Sequence, residues 1–201
     1  MPSNATAQEA TRRRLTSQQA ETVAKLTAAA VDVLREDGYD GLTVRSVAGR
    51  AGVAPATAYT YFSSKGHLVA EVFWRRLVDG VPEPDPALPL IDRVSGVLRS
   101  VSLVVAGEGQ LGGAVTVALL GADPDVEHLR LRVGGFLRQR LAQAVGVDPA
   151  DPGPVVDALE MLYSGGLVHA GMGHLSYEQT ADRIIAAAQL VLAGADVSGH
   201  A

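Results

Sequence analysis

Between Gly41 and Lys65 the chain reads GLTVRSVAGRAGVAPATAYTYFSSK, side chains suited to hydrogen bonding with nucleic acid rather than to breaking bonds. The Arg45 guanidinium carries paired N–H donors that match O6 and N7 of guanine in the major groove. Tyr59 and Tyr61 offer hydroxyls for phosphate oxygens and rings that pack on sugars or on a core. Ala56, Thr57, Ala58 and Thr60 keep bulk down, as a surface that must approach DNA closely requires. Lys65 adds a charge near a helix amino terminus, which already favours anions. Each residue has a structural reading too: Thr43 as a helix cap, Tyr59 and Phe62 as core aromatics, Arg45 and Lys65 as solvated charges.

No comparable catalytic constellation exists. Absence of cysteine excludes disulfide scaffolds, Cys-based zinc sites, thiol catalysis and iron–sulfur clusters. His169 and His174 are five apart, about 140° around a continuous helix, so they are not expected to share a metal. Gly107-x-Gly109 and Gly171-x-Gly173 follow no predicted strand and support no nucleotide fingerprint. Neither an enzyme nor a cofactor is expected.

The elements that must position these residues are helical almost throughout, because apolar residues recur at three and four with no strand-like alternation. Thr16-Ser17-Gln18-Gln19 is a capping box opening a first helix with the stripe Val23, Leu26, Ala30, Val33 and Leu34, and Gly38 is a left-handed stop. Thr43 caps a short helix ending at Gly52, and Pro55 opens another to about Tyr61. These two form a helix-turn-helix. Ser63 is expected to cap a fourth helix running to about Val78, before the proline-rich run of residues 81–86. Further helices are expected near 88–106, 111–120, 124–145, 155–175 and 177–193, with Gly194 after the last. The fold class expected is all-α, with a flexible basic arm at 1–15, a helix-turn-helix DNA-binding domain at 16–80, and a second helical domain at 87–195.

Of 201 residues, 47% are apolar and 19% charged, which fits a globular chain. The net charge of −5 splits into +3 over residues 1–78 and −8 over 79–201. A basic front and an acidic back suit a nucleic-acid-facing segment joined to one that stays off the phosphates. The amino terminus lacks an apolar signal-peptide core and no apolar run is long enough to span a bilayer, so a cytoplasmic protein without membrane contact is expected. Arg12-Arg13-Arg14 reads equally as an arm on DNA or as a solvated tail.

At Thr43, Val47-Ala48, Ala51-Gly52-Val53, Thr57, Tyr59, Tyr61-Phe62 and Lys65-x-x-Leu68, after a helix ending in Gly38-Tyr39, the chain resembles the TetR family of bacterial transcriptional regulators over roughly residues 17–78. The resemblance implies a homodimer with two reading helices in successive major grooves of a near-palindromic double-stranded DNA operator. It implies phosphate contacts from Thr43, Thr57, Tyr59, Tyr61 and Lys65, and base-facing positions at Arg45, Ala56 and Thr60. It also implies an effector-binding carboxy-terminal domain whose last two helices form the dimer contact. The chain departs from the pattern at Ala54, where a capping Ser is common, at Ala58, where a larger apolar residue is usual, and at Gly66, where an acidic residue often follows the lysine.

The carboxy-terminal half names no ligand. Trp74, His128, Arg132, Phe136, Met161 and His169 are candidates to line an apolar pocket with a few polar groups, and ordinary packing explains the same residues. Gly165, Gly166, Ala170, Gly171 and Gly173 allow close helix approach, and Ile184, Ile185, Ala188, Val191 and Leu192 give the last helix a broad apolar face. The function expected is a repressor released from its operator by a small effector. The alternative is a regulator or adaptor controlled by a protein partner.

Overall fold

A computed structural model describes residues 16–198, so the Arg12, Arg13 and Arg14 arm lies outside the described residues. Among the described residues there are nine helices and no strand. They are α1 (Ser17–Gly41), α2 (Val44–Ala51), α3 (Pro55–Tyr61), α4 (Lys65–Gly80), α5 (Leu90–Leu103), α6 (Gly109–Leu120), α7 (Pro124–Val145), α8 (Gly153–Gly171) and α9 (Tyr177–Ser198). No helix among them is long and apolar enough to cross a membrane.

Local chemistry accounts for most boundaries. The Thr16 hydroxyl accepts from Gln19 N at 3.3 Å while Gln19 Oε1 accepts from Thr16 N at 2.8 Å, a closed capping box. Gly38 has the positive φ expected of it, but its ψ of −177° is the extended mirror conformation open to glycine alone, and a further helical turn follows to Gly41. Ser64, rather than Ser63, caps α4: its hydroxyl accepts from His67 N at 3.0 Å. α8 stops at Gly171 because Gly173 takes a φ of 76°, whereas Gly194 continues α9.

The chain forms two compact units. The first is the chain up to Val78 together with Gly107–Leu131; the second is Asp79–Ala106 together with the chain from Arg132 onward. A single cut at the proline run falls close to Val78 but does not reproduce this division, because α6 and the first two turns of α7 return to the first unit. The reason is burial: α6 packs on α1 and buries Leu111, Ala114, Val115 and Ala118. The rest of that core is the expected α1 stripe with Val47, Ala48, Phe62, Leu68, Phe73 and Leu77. In the second unit α9 packs on both α5 and α8, burying Val94, Leu98, Leu141, Leu159, Ile184, Ala188 and Leu192.

Candidate nucleic-acid interface

The supporting helix α2 is held at both ends by bonds readable residue by residue. Thr43 Oγ1 accepts from Ser46 N at 2.9 Å, Ser46 Oγ accepts from Thr43 N at 3.0 Å, and the two hydroxyls are 3.0 Å apart. The Thr43 hydroxyl proton can therefore turn from Ser46 to a phosphate oxygen without loss of the cap. At the other end Gly52 is left-handed (φ 66°, ψ 27°), and Val53 N donates to Ala48 O at 2.9 Å. The turn delivers Pro55 to the first position of α3, whose amino end, at Ala54, has no side-chain cap.

α3 has one buried side and one exposed side. Ala58 and Phe62 are buried, while Ala56, Thr57, Tyr59 and Thr60 are exposed and Tyr61 is half-buried. The departure at Ala58 falls on the packed side of the helix, where the residue is 0% exposed. Tyr59 is 52% exposed, which sets aside its reading as a core aromatic, whereas Phe62 is wholly buried. Thr60 Oγ1 donates to Ala56 O at 3.1 Å, leaving its methyl and two acceptor lone pairs outward. Ala56, Thr57 and Thr60 thus make a low, hydroxyl-bearing face.

The cations differ in commitment. Arg45 is exposed and makes no ion pair among the described residues. Arg50, on the same helix, is held by Glu36 of α1, with Nη1 to Oε1 at 2.8 Å and Nη2 to Oε2 as a second contact, and that pairing holds the Glu36 carboxyl below its usual range. Lys65 is half-buried: its Nζ donates to Tyr39 O at 3.1 Å and lies 4.2 Å from the Tyr39 ring centroid. Lys65 therefore ties the start of α4 to the end of α1, with two of its three N–H donors still available. Burial pushes the Tyr39 phenol up, with Asp123 and Asp40 adding to the effect.

One contact beside the interface had no signal beyond a helix start. Asp123 Oδ1 accepts from Asp125 N at 2.9 Å at the opening of α7, while Oδ2 accepts from Ser64 Oγ, the cap of α4. The Ser64 bond chiefly holds the Asp123 carboxyl below its ordinary range, with help from the Asp125 N–H, His67 and Arg130 against the opposing effect of burial. A Cβ on Gly66 would stand 3.4 Å from Asp123 Oδ2 and 3.6 Å from Val126 Cγ2. An acidic side chain at that position would meet the Asp123 carboxylate, which explains the third departure from the family pattern. Arg130 Nη1 then donates to Leu119 O at 3.3 Å and to Gly121 O, closing the carboxyl end of α6.

The six pocket candidates do not behave alike. Trp74 is buried in the first unit, and His128 in the same unit is exposed. In the second unit Arg132 and Phe136 are half-buried, Phe136 with the Arg140 guanidinium 4.9 Å from its ring centroid. Met161 is 73% exposed and His169 is exposed as well, so within one chain both face solvent rather than an interior. The expected separation of His169 and His174 assumed a continuous helix; the turn at Gly173 brings their ring centroids to 6.0 Å. A cavity of about 160 Å³ in the first unit is lined by Val31, Leu34, Arg35, Gly107, Glu108, Gln110 and Leu111, none of them a candidate.

With this geometry established, the likenesses to known proteins are specific. Residues 26–72 match the family described as bacterial regulatory proteins, tetR family. The chain is 51% identical over 181 residues to an HTH-type transcriptional regulator of Mycobacterium tuberculosis strain H37Rv, covering 89% of this chain and 84% of that one. It is 29% identical over 124 residues to the HTH-type transcriptional repressor KstR of Rhodococcus jostii strain RHA1, covering 61% and 57%. The solved structure of a TetR transcriptional regulator from Rhodococcus sp. RHA1 matches with a TM-score of 0.71 at 24% identity, over 89% of this chain and 98% of that chain. An exposed reading helix behind a doubly capped supporting helix, within a chain so closely related to a helix-turn-helix regulator, leads to one assignment: the chain belongs to the TetR family of bacterial transcriptional regulators.

Proposed function

We propose that the protein is a homodimeric, cytoplasmic repressor that binds a near-palindromic operator through residues 43–65 and is released by a small-molecule effector held in its carboxy-terminal helices. The observation that supports the DNA-binding part is a low, hydroxyl-bearing α3 face together with an Arg45 that no acidic residue engages among the described residues. Arg45, Ala56 and Thr60 take base-facing roles. Thr43, Thr57, Tyr59, Tyr61 and Lys65 take phosphate roles, Lys65 from a position already anchored on Tyr39. A repressor role is supported by the likeness to KstR, which is named a repressor. Dimerisation through α8 and α9 is supported by Met161 and Leu190, 73% and 76% exposed on those two helices.

Release requires an effector that prefers a state in which the two reading helices no longer stand about 34 to 36 Å apart, one turn of DNA. The Ser64–Asp123 bond gives α4 a route for such coupling, since it ties the helix following α3 to the α6–α7 turn. The test is selection of genomic fragments by purified protein at fixed salt, with Arg45→Ala and Tyr59→Ala alongside, because phosphate contacts make affinity salt-dependent. Enrichment of one short inverted repeat that both variants lose is the expected result. Equal retention of unrelated fragments by all three proteins would overturn the operator reading.

A further inference from the structure

Buried hydroxyls are costly to leave without a hydrogen-bond partner, because folding removes them from water and returns nothing. In the second unit four are left so: Ser102 Oγ on α5, Tyr163 Oη on α8, and Tyr177 Oη and Thr180 Oγ1 on α9. Ser102, Tyr163 and Thr180 are only 3%, 4% and 3% exposed. Three of the four share one end of the α8–α9 pair. Gly166, one turn beyond Tyr163, lies so close to α9 that a Cβ there would stand 3.1 Å from Thr180 Cγ2, and Tyr177 is one turn before Thr180. The two phenols sense each other electrostatically. Ser102 lies one turn beyond Arg99, whose guanidinium reaches Asp182 of α9 at 2.7 Å.

The buried side chains that accompany these hydroxyls on α8 and α9 are apolar. Leu159, Ala181, Ile184 and Ala188 are buried on the same two helices. Burial pushes both phenols up, and no cation or carboxylate contributes to either shift. Both stay protonated and neutral at physiological pH, so each offers one O–H donor and acceptor lone pairs without a countercharge. An anion placed here would be desolvated with nothing to neutralise it.

We propose that Tyr163, Tyr177 and Thr180 form the polar wall of the effector site, which takes an uncharged, largely apolar molecule bearing hydroxyl or carbonyl oxygen. This deepens the proposed function and rests on its effector reading. None of the three was a candidate from sequence, since an isolated Tyr or Thr on an apolar helix carries no pattern.

The test uses full-length protein, unfolded and refolded to remove copurified molecules, and three matched two-ring probes: 2-naphthol, naphthalene and 2-naphthoate. Thermal shift and probe fluorescence are read for wild type, Tyr163→Phe and Thr180→Val. The expected result is stabilisation by 2-naphthol alone, weakened about tenfold in each variant, with the probe-free variants melting no lower than wild type. Three results would each overturn the site: 2-naphthol bound equally by the variants, tighter binding of the naphthoate, or stabilisation by none of the probes. Operator release is measured separately on the same samples. Hydroxyl-dependent binding with no release supports the site and sinks the effector reading, whereas effector release unchanged by Tyr163→Phe sinks the site and leaves that reading standing.

Discussion

In the proposed interface Arg45 of α2 and Tyr59 of α3 would divide the work of binding DNA between specificity and affinity. Arg45 is exposed and uncommitted, so its guanidinium is available to a guanine edge. Arg45→Ala is expected to cost about 1–3 kcal/mol at the preferred operator and to relax preference at a single base position, measured by binding to a library of singly substituted operators. Tyr59→Phe removes a phosphate-bonding hydroxyl while keeping the ring, and should weaken all sequences alike by about 1 kcal/mol. A variant Tyr59→Phe that changed base preference would show that the hydroxyl reads a base.

At the scale of elements, the joint between α4 and α7 depends on one carboxylate serving two helices. Asp123 has a depressed carboxyl, so its stabilising contribution is fully present above the unfolded value of about 3.9 and is lost as pH falls through the lower folded value. Urea unfolding of wild type should therefore show a steeper loss of stability from about pH 5 downward than Asp123→Asn does. Ser64→Ala removes both the α4 cap and the donor to Asp123, and is expected to cost about 1–2 kcal/mol by the same measurement. The α8–α9 contact gives a paired comparison. At Gly166 a Cβ would clash with Ile184 Cδ1 and stand 2.8 Å from Cγ1, whereas at Gly165 nothing stands within 4 Å. Gly166→Ala should destabilise by about 1–2 kcal/mol, since crowding outweighs helix propensity, and Gly165→Ala should stabilise by up to about 1 kcal/mol.

For the whole molecule the deciding question is what covers the outer faces of α8 and α9. Gly166 and the buried face of Ile184, Ala188 and Leu192 are used within the chain, whereas Met161 and Leu190 are not. If a second copy covers them, Met161→Glu combined with Leu190→Glu will run as a monomer in light scattering and lose operator affinity, because each half-site alone is held weakly. A double variant that stays dimeric would move the interface elsewhere. The Arg45 and Tyr59 variants, which lie on α2 and α3, should leave the oligomeric state unchanged and so serve as controls.

How much of this was legible in the chain follows from the range of the interactions involved. Caps, glycine turns and apolar spacing act within four residues, so Thr16, Thr43, Gly52, Pro55 and the α1 stripe could be read directly, and with them the all-α class and the reading helix. Ser63 and Ser64 stand side by side with equal capping chemistry, and only the packed structure chose Ser64. Residues brought together across long stretches of chain were out of reach: Ser64 with Asp123, α6 with α1, Tyr163 with Tyr177 and Thr180. So was exposure, which turned Met161 and His169 outward while Tyr163, two residues from Met161 on the same helix, went in. Local hydrogen-bond geometry and periodicity determined by themselves where the helices are and which one is the candidate to read DNA. Which of their faces meet, and which hydroxyls are left inside without partners, was decided only when burial of apolar surface chose among packings that the same local pattern allows.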